Sequence, residues 1–146
     1  MKKLMLMVVL AAAASGAMAA DRKLMLPIAG GMAANDAKAK LDGPVKFYFA
    51  GEKAPKALEQ LGSDKTSQKT NAFGKSDETA CNWAFLSSML ALQKRAAALG
   101  ANAVVNITNN YKNVENPSAT EFECHAGGIM AGVALKADFV RVAAPK

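Results

Sequence analysis

Between Cys81 and Leu99, apolar positions recur at Cys81, Phe85, Met89, Leu92, Ala96 and Leu99, intervals of four, four, three, four and three. That spacing lines one face of an α-helix, so a long helix is predicted over Glu78–Leu99. Asp77 stands where an N-cap belongs, and Lys94 and Arg95 lie near the C-terminal end, where positive charge is favoured. Gly100 supplies the left-handed terminating residue. Beyond it the period changes from helical to two. Ala103–Thr108 is short and β-branched, and Thr120–Cys124 alternates as a strand that pairs back on it. The Asn-rich stretch Asn109–Ser118 between them reads as a loop. Ile129–Val142 alternates at length through Ala131, Val133, Leu135, Ala137 and Phe139, with Lys136 and Asp138 facing the other way. Val140 and Val142 then take the opposite register, which suggests a bulge near residues 138–140.

The first half is less regular. Leu24–Ile28, broken by Pro27, reads as an edge strand or extended arm. The Ala-rich residues 31–41 read as one short helix stopped by Asp42-Gly43-Pro44. Val45–Phe49 alternates as a half-buried strand. Pro55–Leu61 suggests one or two helical turns, and Gly62–Asn71 is polar throughout, as in an exposed loop or weak ribbon. The expected fold class is α+β: one long helix packed on a small, mainly antiparallel sheet.

Composition adds a compartment. Lys2 and Lys3 precede an apolar run from Leu4 to Ala14, closed by the small residues of Ala17-Met18-Ala19. This is the pattern of a secretory signal peptide cleaved after Ala19. It leaves residues 20–146 as a single domain expected in the periplasm. The apolar run is about half of the ~20 residues a bilayer span requires, so no membrane span is expected in the mature form. Without Lys2 and Lys3 the formal charge falls from +6 to +4. The remaining Lys and Arg are spread along the chain, unlike the dense basic cluster of a nucleic-acid groove. Cys81 and Cys124 are the only cysteines, and an oxidising compartment favours joining them as a disulfide. No cysteine at the cleavage site is placed to accept a lipid.

Candidate chemistry is sparse. Gly74-Lys75-Ser76 before the long helix resembles the end of a phosphate-binding loop, but the first glycine of that pattern would fall at Lys69. A turn and cap is the plainer account. Cys124, His125 and Cys81, with Met130 nearby, could form a soft-metal (Cu/Zn) site if the thiols were reduced. This is the alternative to the disulfide, under which no metal or other cofactor is expected. Of the eight methionines, four lie in the leader, and Met89 belongs to the helical stripe. Glu123 and Asp138 read as solvent-facing strand residues. Trp83, off the stripe, is expected to wedge the helix start against the sheet or Phe73. Asn106-Ile107-Thr108 matches a glycosylation sequon on a strand read as buried. No Gly-x-Ser-x-Gly turn is present, and no catalytic residue is assigned.

Two stretches carry a family resemblance. Gly74-Lys75-Ser76-Asp77-Glu78-Thr79-Ala80-Cys81-Asn82-Trp83-Ala84 leads into the helix. Leu99-Gly100-Ala101-Asn102-Ala103-Val104-Val105-Asn106-Ile107 leaves it, followed by Glu121-Phe122-Glu123-Cys124-His125-Ala126-Gly127. Together they resemble a family of small exported proteobacterial proteins often labelled "excinuclease ATPase subunit". With Lys69 in place of the first loop glycine, an ATPase activity does not carry over, and the label reads as a misnomer. Residues 80–140 are more distantly similar to YbjQ-like "heavy-metal-binding" domains and to the RcsF envelope-stress sensor. The latter resemblance implies a disulfide in this region, in agreement with Cys81–Cys124. The chain has two cysteines where that sensor has four, and lacks its lipid-acceptor cysteine. The expectation is therefore a soluble periplasmic, disulfide-stapled, non-catalytic binding protein related to the envelope or its stress response. Its partner would be an envelope protein or surface polymer, met by the segments Gly62–Lys75 and Asn109–Ala119.

Overall fold

The last strand of the chain, β6 (Met130–Val142), is the spine of the sheet. The computed structural model describes residues 21–144; the leader expected over residues 1–19 lies outside them. One edge of β6 pairs along its whole length with β3 (Ala57–Asn71), from Ala57 opposite Val142 to Asn71 opposite Met130. Its other edge is divided. The C-terminal half pairs with β4 (Ala103–Asn109) and the N-terminal end with β5 (Glu121–Ala126). Outside these, β1 (Arg22–Pro27) pairs antiparallel with β5, and β2 (Lys46–Phe49) pairs parallel with β4. Among the described residues this makes one curled sheet of six strands with one long helix, an α+β fold.

The helix, α3 (Asp77–Leu99), packs on one face of the sheet. Cys81, Phe85, Met89, Leu92 and Ala96 are all buried, as their spacing predicts, and Leu99 is partly buried against the same core. Opposite them lie Phe122 and Cys124 of β5, and Val133, Leu135, Ala137 and Phe139 of β6. The Ser88 hydroxyl, fully buried in this layer, donates to the Val133 carbonyl at 3.0 Å. Phe85 stacks on Phe122 with ring centroids 4.4 Å apart. Above this pair passes α1 (Ile28–Ala33), where Gly31 comes so close that a Cβ on it would lie 2.6 Å from Phe85 Cδ1.

Several expectations are corrected. Residues 31–41 do not form one helix; α1 is followed by α2 (Ala37–Lys40), and between them Asn35 and Asp36 adopt positive φ, 56° and 55°. Such a pair interrupts a helix however good the flanking alanines are. The cap of α3 is Ser76, whose Oγ accepts from the Thr79 N–H at 3.2 Å. Asp77 is instead the first helical residue and forms an ion pair with Arg22 at 2.7 Å, which holds its carboxyl below the usual range. Pro55–Leu61 forms no helical turn, and Gly62–Asn71 is the ribbon rather than the loop of its two readings: Ala57–Asn71 is one 15-residue strand, β3.

The bulge expected within β6 is not there. Val133, Leu135, Ala137 and Phe139 face the helix, while Val140 and Val142 simply continue the even-numbered face. They are apolar because Ala103, Val105, Tyr48 and Ala57 cover them there in a second, smaller cluster. The extra residues belong to the partner strands. The register places Leu58 and Leu61 as insertions in β3, and β4 gains one around Asn106, which has φ of 53°.

Candidate functional site

Strand alternation sends Cys124 and His125 to opposite faces of β5. Cys124 points into the core, where it is fully buried and bonded to Cys81 of α3. The side chain of His125 lies on the outer face, away from the helix, against Tyr111. The three residues of the soft-metal alternative therefore do not converge in the disulfide form. Among the described residues no group of three or more His, Cys, Asp or Glu side chains is arranged to hold a metal ion.

On the outer face His125 has other company. Its Nε2 donates to Glu123 Oε2 at 2.7 Å, and the ring is stacked on Tyr111. Glu123 is buried, contrary to the solvent-facing position expected for it. Its other oxygen accepts from Asn116 Nδ2 at 2.9 Å, and the Lys23 ammonium lies 3.7 Å away. Burial raises the carboxyl pKa, but the hydrogen bonds from His125 and Asn116 and the charge of Lys23 outweigh it. The net effect holds Glu123 below its ordinary value. His125 is itself largely covered. Glu123 and His125 are two residues apart, a spacing that puts both on the same strand face. That signal was present in the sequence.

This cluster anchors the Asn-rich segment. Asn109 is buried at the end of β4, donating to the carbonyls of Asn116 and Glu121 and accepting from the Glu123 N–H. Tyr111–Asn113 forms a 3₁₀ turn in which Lys112 and Asn113 take positive φ. The turn folds back over the outer face toward β3, and Asn113 Oδ1 accepts from Lys65 Nζ at 2.8 Å.

The two polar segments singled out in the sequence thus meet in one place. Between them lies a groove of about 510 Å³ lined by Lys65, Ser67 and Lys69 of β3, and by Asn110, Tyr111 and Lys112 of the turn. No carboxylate lines it. Lys65 and Lys69 stand four apart on a strand, so both project from the same face. The adjoining hollow, about 420 Å³, is mixed in charge: Lys136 there is paired with Glu115 at 2.8 Å. What the groove offers chemically is three ammonium groups beside hydroxyl and amide groups, a setting for anionic, hydrogen-bonding ligands. The groove escaped notice in the sequence because its two walls are about 45 residues apart in the chain and one of them is a strand read there as an exposed loop or weak ribbon.

Other sequence candidates settle elsewhere. Gly74-Lys75-Ser76 forms the turn and cap before α3, with Gly74 at φ 71° and Lys75 Nζ donating to the Asn71 carbonyl. Asp138 accepts from Ser63 Oγ at 2.6 Å, on a different strand from Glu123. Trp83 does not wedge the helix start; it remains 37% exposed, with Lys40 Nζ 5.2 Å from its ring centre. Phe73 is exposed as well. Asn106 is not buried but exposed on the β4 bulge. No helix among the described residues is long and apolar enough to cross a membrane. No protein-family model matches the sequence, and no curated protein matches it.

Proposed function

We propose that this chain is an exported, non-catalytic binding domain of the cell envelope, and that the groove beneath the Tyr111–Asn113 turn takes an anionic segment of a surface polymer or envelope protein. The observation that carries this reading is the carboxylate-free lining of the groove, with Lys65, Lys69 and Lys112 on two facing walls. A groove of one charge sign concentrates ligands of the other. The Cys81–Cys124 bond and the buried Asn109 support the walls from behind. This gives a rigid frame beneath a polar recognition surface. The hydroxyls of Ser67 and Tyr111 and the amide of Asn110 suit a hydrogen-bonding partner such as an acidic polysaccharide.

Calorimetric titration with dextran sulfate, and with uncharged dextran of the same length, tests the reading. The sulfated polymer should bind and the uncharged one should not, with affinity falling as salt rises. Replacing Lys65, Lys69 and Lys112 together by Gln should weaken binding about tenfold or more. Replacing the remote Lys38, Lys53 and Lys56 by Gln should cost much less. Equal losses in the two triple variants would mean that net charge, not the groove, holds the polymer.

A further inference from the structure

We infer that the end of the sheet formed by the turns at residues 72–76 and 127–129 is a membrane-contacting tip, whose ligand is the surface of an anionic lipid bilayer. Three large apolar side chains are gathered there in the open: Phe73 is 76% exposed, Ile129 68% and Met130 44%. They are neighbours through the backbone, since Asn71 pairs with Met130 and the Ala72 N–H donates to the Ile129 carbonyl at 2.7 Å. Both turns are held in shape. Lys75 N–H donates to the Ala72 carbonyl, Gly74 takes the left-handed conformation, and Gly127 N–H donates to the Met130 carbonyl. Exposed apolar side chains this close together are uncommon on a soluble surface and mark a contact.

The size and charge of the tip select the partner. Three side chains on two turns fall far short of the roughly 1,000 Å² that a specific protein interface needs. A bilayer makes no such demand, because a few apolar groups sink into the headgroup boundary while nearby cations meet anionic lipids. Lys75 stands two residues after Phe73 and is exposed, and Lys69 lines a small hollow shared with Met130 and Asp21. Of the carboxylates at this end, Asp77 is already paired with Arg22, leaving Asp21 beside Gly127 and the exposed Glu78 in the first turn of α3. The tip shares Lys69 with the lysine groove, but its apolar side chains lie outside the groove and do not depend on the reading of it.

The test is co-sedimentation of residues 20–146 with vesicles of phosphatidylglycerol and phosphatidylcholine, against vesicles of phosphatidylcholine alone. Binding to the anionic vesicles is expected, and Phe73→Ser with Ile129→Ser should reduce it about tenfold or more, since two inserted apolar side chains are lost. Both residues are exposed, so circular dichroism should be unchanged; Ile129→Asn alone is a milder variant that should give an intermediate loss. Lys65→Gln with Lys112→Gln, in the groove, should leave most vesicle binding in place. Absence of binding by the unaltered protein would overturn the proposal. So would equal binding by the Phe73/Ile129 variant, or loss of binding in the groove variant instead. Self-association abolished by the tip variants, without any vesicle binding, would overturn it in favour of a contact between copies.

Discussion

The phenol ring of Tyr111 lies flat on the imidazole of His125, with ring centroids 3.4 Å apart and planes within 10° of parallel. The stack joins a turn that would otherwise touch the sheet only through polar groups to a histidine fixed by a buried carboxylate. Replacing Tyr111 by Ala should release the turn while leaving the helix and the core intact. Hydrogen exchange at residues 110–116 should speed up, with a loss of global stability of about 1 kcal/mol. Tyr111→Phe, which keeps the ring, should behave nearly as the unaltered protein.

Glu123 makes stability depend on acid in a defined direction. Its folded-state pKa lies below the ordinary glutamate value of 4.5, so the folded protein binds the proton less readily than the unfolded chain. The contribution is therefore complete above 4.5 and is lost as pH falls from there through the lower folded value. Urea unfolding across that acid range should show Glu123→Gln losing less stability on acidification than the unaltered protein. Identical slopes would mean that the carboxylate contributes nothing to acid sensitivity.

Gly31 offers a paired steric test. Alanine at this position would push its Cβ within 2.6 Å of Phe85 Cδ1 and 3.2 Å of Phe122 Cε1. Both rings are fully buried and stacked on each other, so neither has room to yield. A loss of about 1–3 kcal/mol is expected, as for other overpacked cores. Gly30→Ala, one residue earlier, would meet only Pro27 Cβ at 3.9 Å and should be close to neutral.

Removing the Cys81–Cys124 bond by serine at both positions should lower the unfolding free energy by up to about 4 kcal/mol, the chain-entropy value for a loop of this size. The bond spans 43 residues and fixes the start of α3 to β5. Urea midpoints of the two proteins, compared at equal slope, measure the effect. Coincident midpoints would show that packing alone holds the helix to the sheet.

How much of this was legible in the sequence differs by element, for physical reasons. α3 was plain because Cys81, Phe85, Met89, Leu92 and Ala96 keep a helical period, even though Asn82, Ala84, Leu86 and Ser88 beside that stripe are buried too. β5 and β6 showed alternation and β4 its β-branched run, though β5 pairs with β1 and β6 rather than back on β4 as its position after that strand suggested. β3 was not, because most of its side chains are exposed and its pairing runs entirely to a strand some 70 residues later. A strand stabilised chiefly by a distant backbone leaves little apolar pattern of its own. Val140 and Val142 misled in the opposite sense: an apolar residue on the outer face was read as a change of register, when a second small cluster covers it. Of the site, the lysines and the two polar segments were visible. Their meeting across the sheet was not, since it depends on β3 being a strand.

The position of β6 also bears on when the fold can appear. β3 has no other strand partner among the described residues, while β4 and β5 each retain only one without it. Residues 130–142 therefore have to be available before the sheet can close. A polypeptide emerging from its N-terminal end would hold β3 unpaired, and the pairs β1–β5 and β2–β4 unjoined, until nearly the whole length had appeared. The segment made last is the one that turns two separate ribbons and a lone strand into a single sheet.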